Sequence, residues 1–299
     1  MADIVTIFGG SGFVGTAIAR AAVEAGWQVR VAVRNPAKVA VQGVDAVACD
    51  IRHEAEVSAA LGGATAVINC VGILAPQGTN TFDALQAEGA ERIARLAANA
   101  GVARLVHLSA IGADASSPST YQQTKAKGEA GVLKHMPAAV ILRPSIVFGP
   151  DDSFFNRFAD LSKLSPFVPV VGAGTKFQPV FVGDVAGAAV AALKGDVTGI
   201  YELGGPDTES FQELMARMLK VLGRRRLVLP LPAPIGMVMG LGFETLSALS
   251  GGKIAPQITR DQVKNLGKDN VVTGAYPGLS DLGITPTAMA DTLPGYLTR

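Results

Sequence analysis

A Rossmann-type α/β fold, a doubly wound parallel sheet with a small interleaved C-terminal lobe, is predicted by three observations. The apolar run Ile4–Phe8 reads as a buried strand and leads directly into Gly9-Gly10-Ser11-Gly12-Phe13-Val14-Gly15, after which residues 16–25 are Ala-rich with helical spacing. Strand and helix patterns then alternate through residue 150, which places helices on both faces of a parallel sheet. No linker, repeat or low-complexity tract follows, so the second lobe is expected to be interleaved with the first. The expected main domain is 1–150 plus about 178–200, with about 151–177 and 201–299 in the lobe.

Gly10, Gly12 and Gly15 have the G-x-G-x-x-G spacing, and Gly9 extends it to G-x-x-G-x-x-G. Such glycines serve a tight turn, close approach of backbone to a pyrophosphate, and close packing of helix on strand. The following helix N-terminus offers free N–H groups and the positive end of its dipole to phosphates. Gln28–Val33 is the second strand and ends at Arg34. In NAD sites an acidic residue at this distance binds the ribose 2′-hydroxyl, whereas the Arg34 guanidinium suits a 2′-phosphate, so NADPH is expected in preference to NAD. Residues 45–50 form the third strand, with Asp50 and Ile51 where an adenine would lie. Glu54–Leu61 is a short helix and 66–70 the fourth strand, closing on Cys70, Val71 and Gly72, the last a small residue where a cofactor passes the backbone.

Residues 83–100 form a long amphipathic helix, and 104–109 a fifth strand ending in Ser109. Tyr121-x-x-x-Lys125 opens the next helix, and 138–142 is the sixth strand, followed by Arg143, Pro144, Ser145 and Ile146. Beyond Pro150 the expected elements are a Phe-rich helix over 154–164 and an extended piece over 168–171. A return to the main sheet over 178–193, a strand over 200–203 and a helix over 211–222 follow.

Composition narrows the function. The 299 residues are 48% hydrophobic and 17% charged, with net charge +1, a globular balance that gives no reason to expect nucleic acid as a partner. Cys49 and Cys70 fall on core strands and read as buried small hydrophobes, and the three histidines show no metal-ligand spacing. Residues 1–15 are already strand and loop, so no signal peptide is expected, and no apolar stretch reaches the roughly 20 residues that span a bilayer. The mean hydropathy of +0.33 leaves room for an apolar contact surface.

The glycine loop, Tyr121-x-x-x-Lys125, Arg143-Pro144-Ser145-Ile146-Val147-Phe148-Gly149 and Gln178-Pro179-Val180-Phe181-Val182-x-Asp184-Val185 together resemble short-chain dehydrogenases/reductases of the extended or atypical type. Ile258-Thr259-Arg260-Asp261-Gln262-Val263 and Pro277-Gly278-Leu279-Ser280-Asp281-Leu282-Gly283-Ile284 are similar to one branch of that family. It comprises the NADPH-binding accessory subunits of respiratory complex I (alpha subcomplex subunit 9) and their bacterial relatives. The resemblance implies cofactor contacts from residues 9–15, Arg34, Asp50, Ile51, 70–72, Ser109, Tyr121, Lys125 and 144–146. Tyr121 would be the acid/base, and Lys125, one turn on along the same helix face, would lower its pKa.

The family's reactive set is incomplete here. The hydroxyl residue expected just beyond Ser109 falls at Ile111, with Ser116, Ser117 and Ser119 as substitutes only if their loop folds back, and the helix asparagine corresponds to Gln86 or a neighbour. Two functions therefore stand. One is a structural or regulatory NADPH-binding subunit of complex I with little turnover; the other is an active NAD(P)H-dependent reductase or nucleotide-sugar epimerase. For the first, the expected location is cytoplasmic and peripheral, on the inner face of the bacterial plasma membrane or the matrix side for an organellar chain. Docking onto complex I subunits, and contact with anionic lipid headgroups, is expected through Arg224-Arg225-Arg226 and the apolar residues 235–249. The alternative is that these apolar residues pack the lobe and the arginines serve a helix end.

Overall fold

The computed structural model describes residues 3–251 and 254–298. Its central sheet contains β1 (Ile4–Phe8), β2 (Gln28–Val33), β3 (Val44–Ala48), β4 (Ala66–Asn69), β5 (Arg104–Leu108), β6 (Val140–Pro144) and the edge strand Gly199–Leu203. The order across the sheet is Gly199–Leu203, β6, β5, β4, β1, β2, β3, with every pairing parallel. Strands covered on both faces read as near-continuous apolar runs, and β4 is buried at all four positions, with only Asn69 at its end polar.

The α-helices of the first half are α1 (Phe13–Glu24), α2 (Glu54–Leu61), α3 (Glu88–Asn99) and α4 (Thr120–His135). Those of the second half are α5 (Phe155–Leu164), α6 (Val182–Lys194), α7 (Phe211–Val221), α8 (Ala233–Leu249), α9 (Arg260–Asn265) and α10 (Met289–Leu297). Helices α1 and α6 cover one face of the sheet, where Ala19, Ala22, Ala188 and Ala189 allow close approach. Helices α2, α3 and α4 cover the other, with Val57, Leu61, Ile93 and Val132 in its core. The helix expected over 83–100 begins as a π-turn, Asp83–Ala87, before α3 takes over.

A third core belongs to the later segments. Phe148, Phe155, Phe177 and Phe211 gather there with Leu214, Met218 and Leu293, and Phe154 stacks on Phe211 with centroids 5.5 Å apart. The short pairs around it escape sequence reading. Val180–Phe181 pairs with Val147–Phe148 rather than with the main sheet, which is rejoined by Gly199–Leu203. Phe167–Val171 pairs in parallel with Leu227–Leu231.

Helix α8 lies on this lobe along a stripe of glycine. A Cβ on Gly236 would meet Val171 at 2.8 Å, and one on Gly240 the Arg260 nitrogen at 2.8 Å, so α8 seats closely only because those positions lack side chains. Its large apolar side chains are left outside: Val238 is 71% exposed and Leu249 83%. Among the described residues no helix is long and apolar enough to cross a membrane. The arginine run serves mainly the fold. Arg224 donates to the Ala159 carbonyl and Ser162 hydroxyl, and Arg226 to the Ser162 carbonyl. Both thus satisfy groups near the C-terminus of α5, where cations are favoured.

Candidate functional site

The sequence-predicted site residues gather on one edge of the sheet, past the carboxyl ends of β1 to β6. Strand order reverses between β1 and β4, which is where open α/β sheets form a ligand crevice. Gly9 has φ of 80°, a left-handed conformation that glycine adopts without a Cβ penalty. A Cβ on Gly15 would stand 2.4 Å from the Gly9 oxygen, so α1 meets the loop only with hydrogen there. Gly12 is different: a Cβ there would approach nothing closer than that oxygen, at 3.5 Å. It is the N-cap of α1, supplies no side-chain bond, and no acid stands in the first turn. The helix end keeps its free N–H groups and positive potential beside open space, a cradle that fits a pyrophosphate.

Beyond β2, the exposed Arg34 donates to the neutral Asn80 Oδ1 at 3.0 Å, which leaves its charge available to an anion. Beyond β3, hydrogen bonds from Arg52 at 2.5–3.1 Å hold the Asp50 carboxyl down at about 2. Ile51 is buried, and its carbonyl accepts from Arg92 at 3.0 Å.

Beyond β4, Asn69 receives the Val71 N–H at 3.0 Å, ordering Cys70, Val71 and Gly72. A Cβ on Gly72 would lie 3.4 Å from Lys125 Nζ and 3.5 Å from Gln86 Oε1, so three predicted elements converge here. Gln86 sits in the π-turn, bonded to Thr124 Oγ1 and to the Ile73 N–H. Gly128 of α4 makes this possible, because any Cβ there would collide with the Gln86 carbonyl at 2.1 Å. Behind them Asn69 donates to His107 Nδ1 at 3.1 Å, and burial pushes that imidazole down to about 3, keeping it neutral.

The Tyr–Lys pair occupies the first turns of α4. Lys125 is buried, donates to the Leu108 carbonyl at 3.0 Å, and is brought down to about 8 by desolvation. Tyr121 meets the Phe82 ring edge-on at 5.7 Å, and desolvation pushes its phenol up to about 12. Burial likewise raises the Cys70 thiol to about 12.

The hydroxyls that the chemistry would use are turned elsewhere. Ser109 donates to Glu129, which Arg143 grips at 2.8 and 2.6 Å, with Tyr276 against the guanidinium at 5.2 Å. Ile111 is buried, and the serine loop does not fold back to replace it: Ser116 bonds Asp114, Ser117 bonds Gln122 and Ser119 bonds Asp261. Pro144 pairs with Leu203, Ile146 accepts from Val180, and the Ser145 hydroxyl is bonded to Asn270 of the lobe. Sequence reasoning missed Asn69, Glu129, Asp261 and Asn270. Glu129 carried one signal, its position four residues after Lys125, but that spacing suggests a same-helix pair rather than a partner for Arg143.

Comparison with known proteins bears on the family and the fold. The NAD(P)H-binding family profile matches residues 9–146. Mitochondrial NADH dehydrogenase (ubiquinone) 1 alpha subcomplex subunit 9 of Arabidopsis thaliana is 33% identical over 298 residues, covering 95% of this chain and 74% of that protein. Ceramide reductase of Caulobacter vibrioides is 29% identical over 252 residues, covering 83% of this chain and 79% of that protein. Among solved structures, the NADPH-dependent quinone oxidoreductase of Escherichia coli complexed with NADPH gives a TM-score of 0.73 at 19% identity, covering 97% and 99% of the two chains, a likeness of fold.

Proposed function

Because the chain belongs to the family of complex I alpha subcomplex subunit 9, we propose that it is an accessory subunit of respiratory complex I that holds NADPH as a structural or regulatory ligand. The observation that carries the reading is the contrast within one crevice. The pyrophosphate cradle is open and uncapped, while the polarising hydroxyl is replaced by the buried Ile111 and Ser109 is tied to Glu129. A dinucleotide would lie with its pyrophosphate at residues 9–15 and its 2′-phosphate at Arg34. Its nicotinamide ribose would lie near Tyr121 and Lys125. Bound NADPH supplies a hydride donor; the chain contributes binding, orientation and exclusion of water. Ligand binding also stabilises the fold by mass action.

The preference for NADPH rests on Arg34. Arg34→Asp is expected to weaken NADPH about a hundredfold, the value of a charge-assisted phosphate bond plus repulsion, and to relax or reverse the preference over NADH. Calorimetric titration of both cofactors checks this, and equal affinity in the wild type would contradict it.

The retained Tyr121 and Lys125, together with the ceramide reductase relative, favour a second reading: an NAD(P)H-dependent reductase or nucleotide-sugar epimerase. Tyr121→Phe separates the two. The accessory reading expects NADPH affinity and thermal stability nearly unchanged and no fast turnover to lose. Rapid oxidation of NADPH by wild type with a quinone or sugar nucleotide, abolished in Tyr121→Phe, would establish the enzyme.

Docking is assigned to the exposed face of α8 with the neighbouring Leu227 and Leu229, all available to a membrane-bound complex I partner. Arg225 is the member of the arginine run left to meet anionic headgroups, since Arg224 and Arg226 are engaged on α5. On this reading the chain lies peripherally on the inner face of the membrane, or on the matrix side in an organelle.

A further inference from the structure

The stretch Thr259-Arg260-Asp261-Gln262 is absorbed by none of the roles above, yet it touches the helix that carries Tyr121 and Lys125. Helix α4 has no acidic residue in its first turn. Its negative charge comes from 140 residues away. Asp261 accepts from Thr120 N at 2.7 Å, Tyr121 N at 3.1 Å and the Ser119 hydroxyl at 2.8 Å. Together with the Ser119 side chain on Gln122 N, this satisfies three of the four N–H groups that a helix start leaves free.

The segment that holds Asp261 is itself fixed on both sides. A capping box joins Thr259 and Gln262, Gln262 Nε2 donates to the Leu74 carbonyl beyond β4 at 3.2 Å, and Lys264 Nζ donates to the Pro118 carbonyl at 3.1 Å. Toward the surface, Glu244 of α8 accepts from Arg260 N at 2.8 Å and Arg260 Nε at 2.7 Å. Gly240 brings the α8 backbone against Thr259 and Arg260. A continuous run of polar contacts therefore leads from the exposed apolar helix to the first turn of the Tyr–Lys helix.

The geometry points to Asp261 as a positioning residue: it sets the first turn of α4 for the nicotinamide ribose and, through Arg260 and Glu244, links nucleotide occupancy to the order of α8. The inference rests on the proposed NADPH site. Linkage is reciprocal, so a partner that orders α8 would tighten NADPH by the factor by which NADPH tightens that partner. Asp261 acts through the start of α4, and its effect is carried by the helix it caps.

The test uses the full chain, calorimetric titration with NADPH, and amide hydrogen exchange over residues 233–265 with and without NADPH. Asp261→Ala should raise the NADPH Kd about tenfold, the size of a lost helix cap, and abolish the NADPH-dependent protection of α8. Asp261→Asn keeps an oxygen acceptor and should recover most of the affinity. Glu244→Ala, which removes the acceptor for Arg260, should leave the Kd within about twofold, because the cap survives, yet lose the protection of α8. Wild-type affinity and protection in Asp261→Ala would overturn the inference while leaving NADPH binding intact. Absence of NADPH binding by the wild type would instead remove the proposed site, and the inference with it.

Discussion

Glu129→Ala is expected to destabilise the protein by about 3–5 kcal/mol, the penalty of stripping one partner from a buried ion pair. Glu129 is 4% exposed and lies on α4 against β6, where it holds Arg143 through two bonds and the Ser109 hydroxyl through a third. Its removal leaves a guanidinium and a hydroxyl without that acceptor inside the fold. Urea denaturation checks the size. Because an isolated buried charge carries most of the penalty, the double variant Glu129→Met with Arg143→Met should recover a large part of the loss. If Glu129→Ala unfolds at the wild-type midpoint, the network is incidental. Cofactor binding should fall with stability in the single variant, since the same helix carries Tyr121 and Lys125.

Gly15→Ala is the second large effect, acting on the ligand as well as the fold. The new methyl would lie 2.4 Å from the Gly9 oxygen and 2.8 Å from the Gly10 Cα, backbone on both sides, so α1 must shift away from the loop. Overpacking of this kind costs about 1–3 kcal/mol in stability. The shift also misplaces the N–H groups of the cradle, and losing one or two charge-assisted bonds should weaken NADPH at least about a hundredfold. Gly12→Ala is the internal contrast: a Cβ there has room in the unliganded fold, so stability should hold while NADPH affinity falls. Similar NADPH affinities in wild type and both variants would mean that the pyrophosphate does not lie on this loop.

The first half of the chain was legible because its physics is local. Buried parallel strands are short apolar runs, and the phosphate turn is written in glycine spacing, so β1 to β6 and the glycine loop followed from residue order, whereas the strand order that opens the crevice between β1 and β4 is visible only in the fold. The lobe was harder for identifiable reasons. Pairs such as Val147–Phe148 with Val180–Phe181 are too short to show a period. Helix α10 contains Pro294 and Gly295, both of which read as breakers, yet it buries Met289, Leu293 and Tyr296.

The site shows the same division. Spacing placed Tyr121 and Lys125 on one helix, but their ionisation depends on burial by residues from several elements, which no spacing encodes. Arg224 and Arg226 looked like a surface charge run and proved to be engaged near the end of α5, because a backbone carbonyl leaves no mark in the sequence. Asp261 entered the sequence reading only as part of the family-like motif 258–263, because its partners, Ser119, Thr120 and Tyr121, lie 140 to 142 residues back.

If this chain is a nucleotide-holding part of a larger assembly, it should be found there with its ligand. Complex I is extracted gently from the native membranes, and the purified complex is assayed by mass spectrometry for this chain and for released nucleotide. The expected result is the chain in stoichiometric amount with NADPH bound and the complex otherwise intact. A complex that lacks the chain, with the protein instead recovered soluble after low-salt lysis, would contradict it.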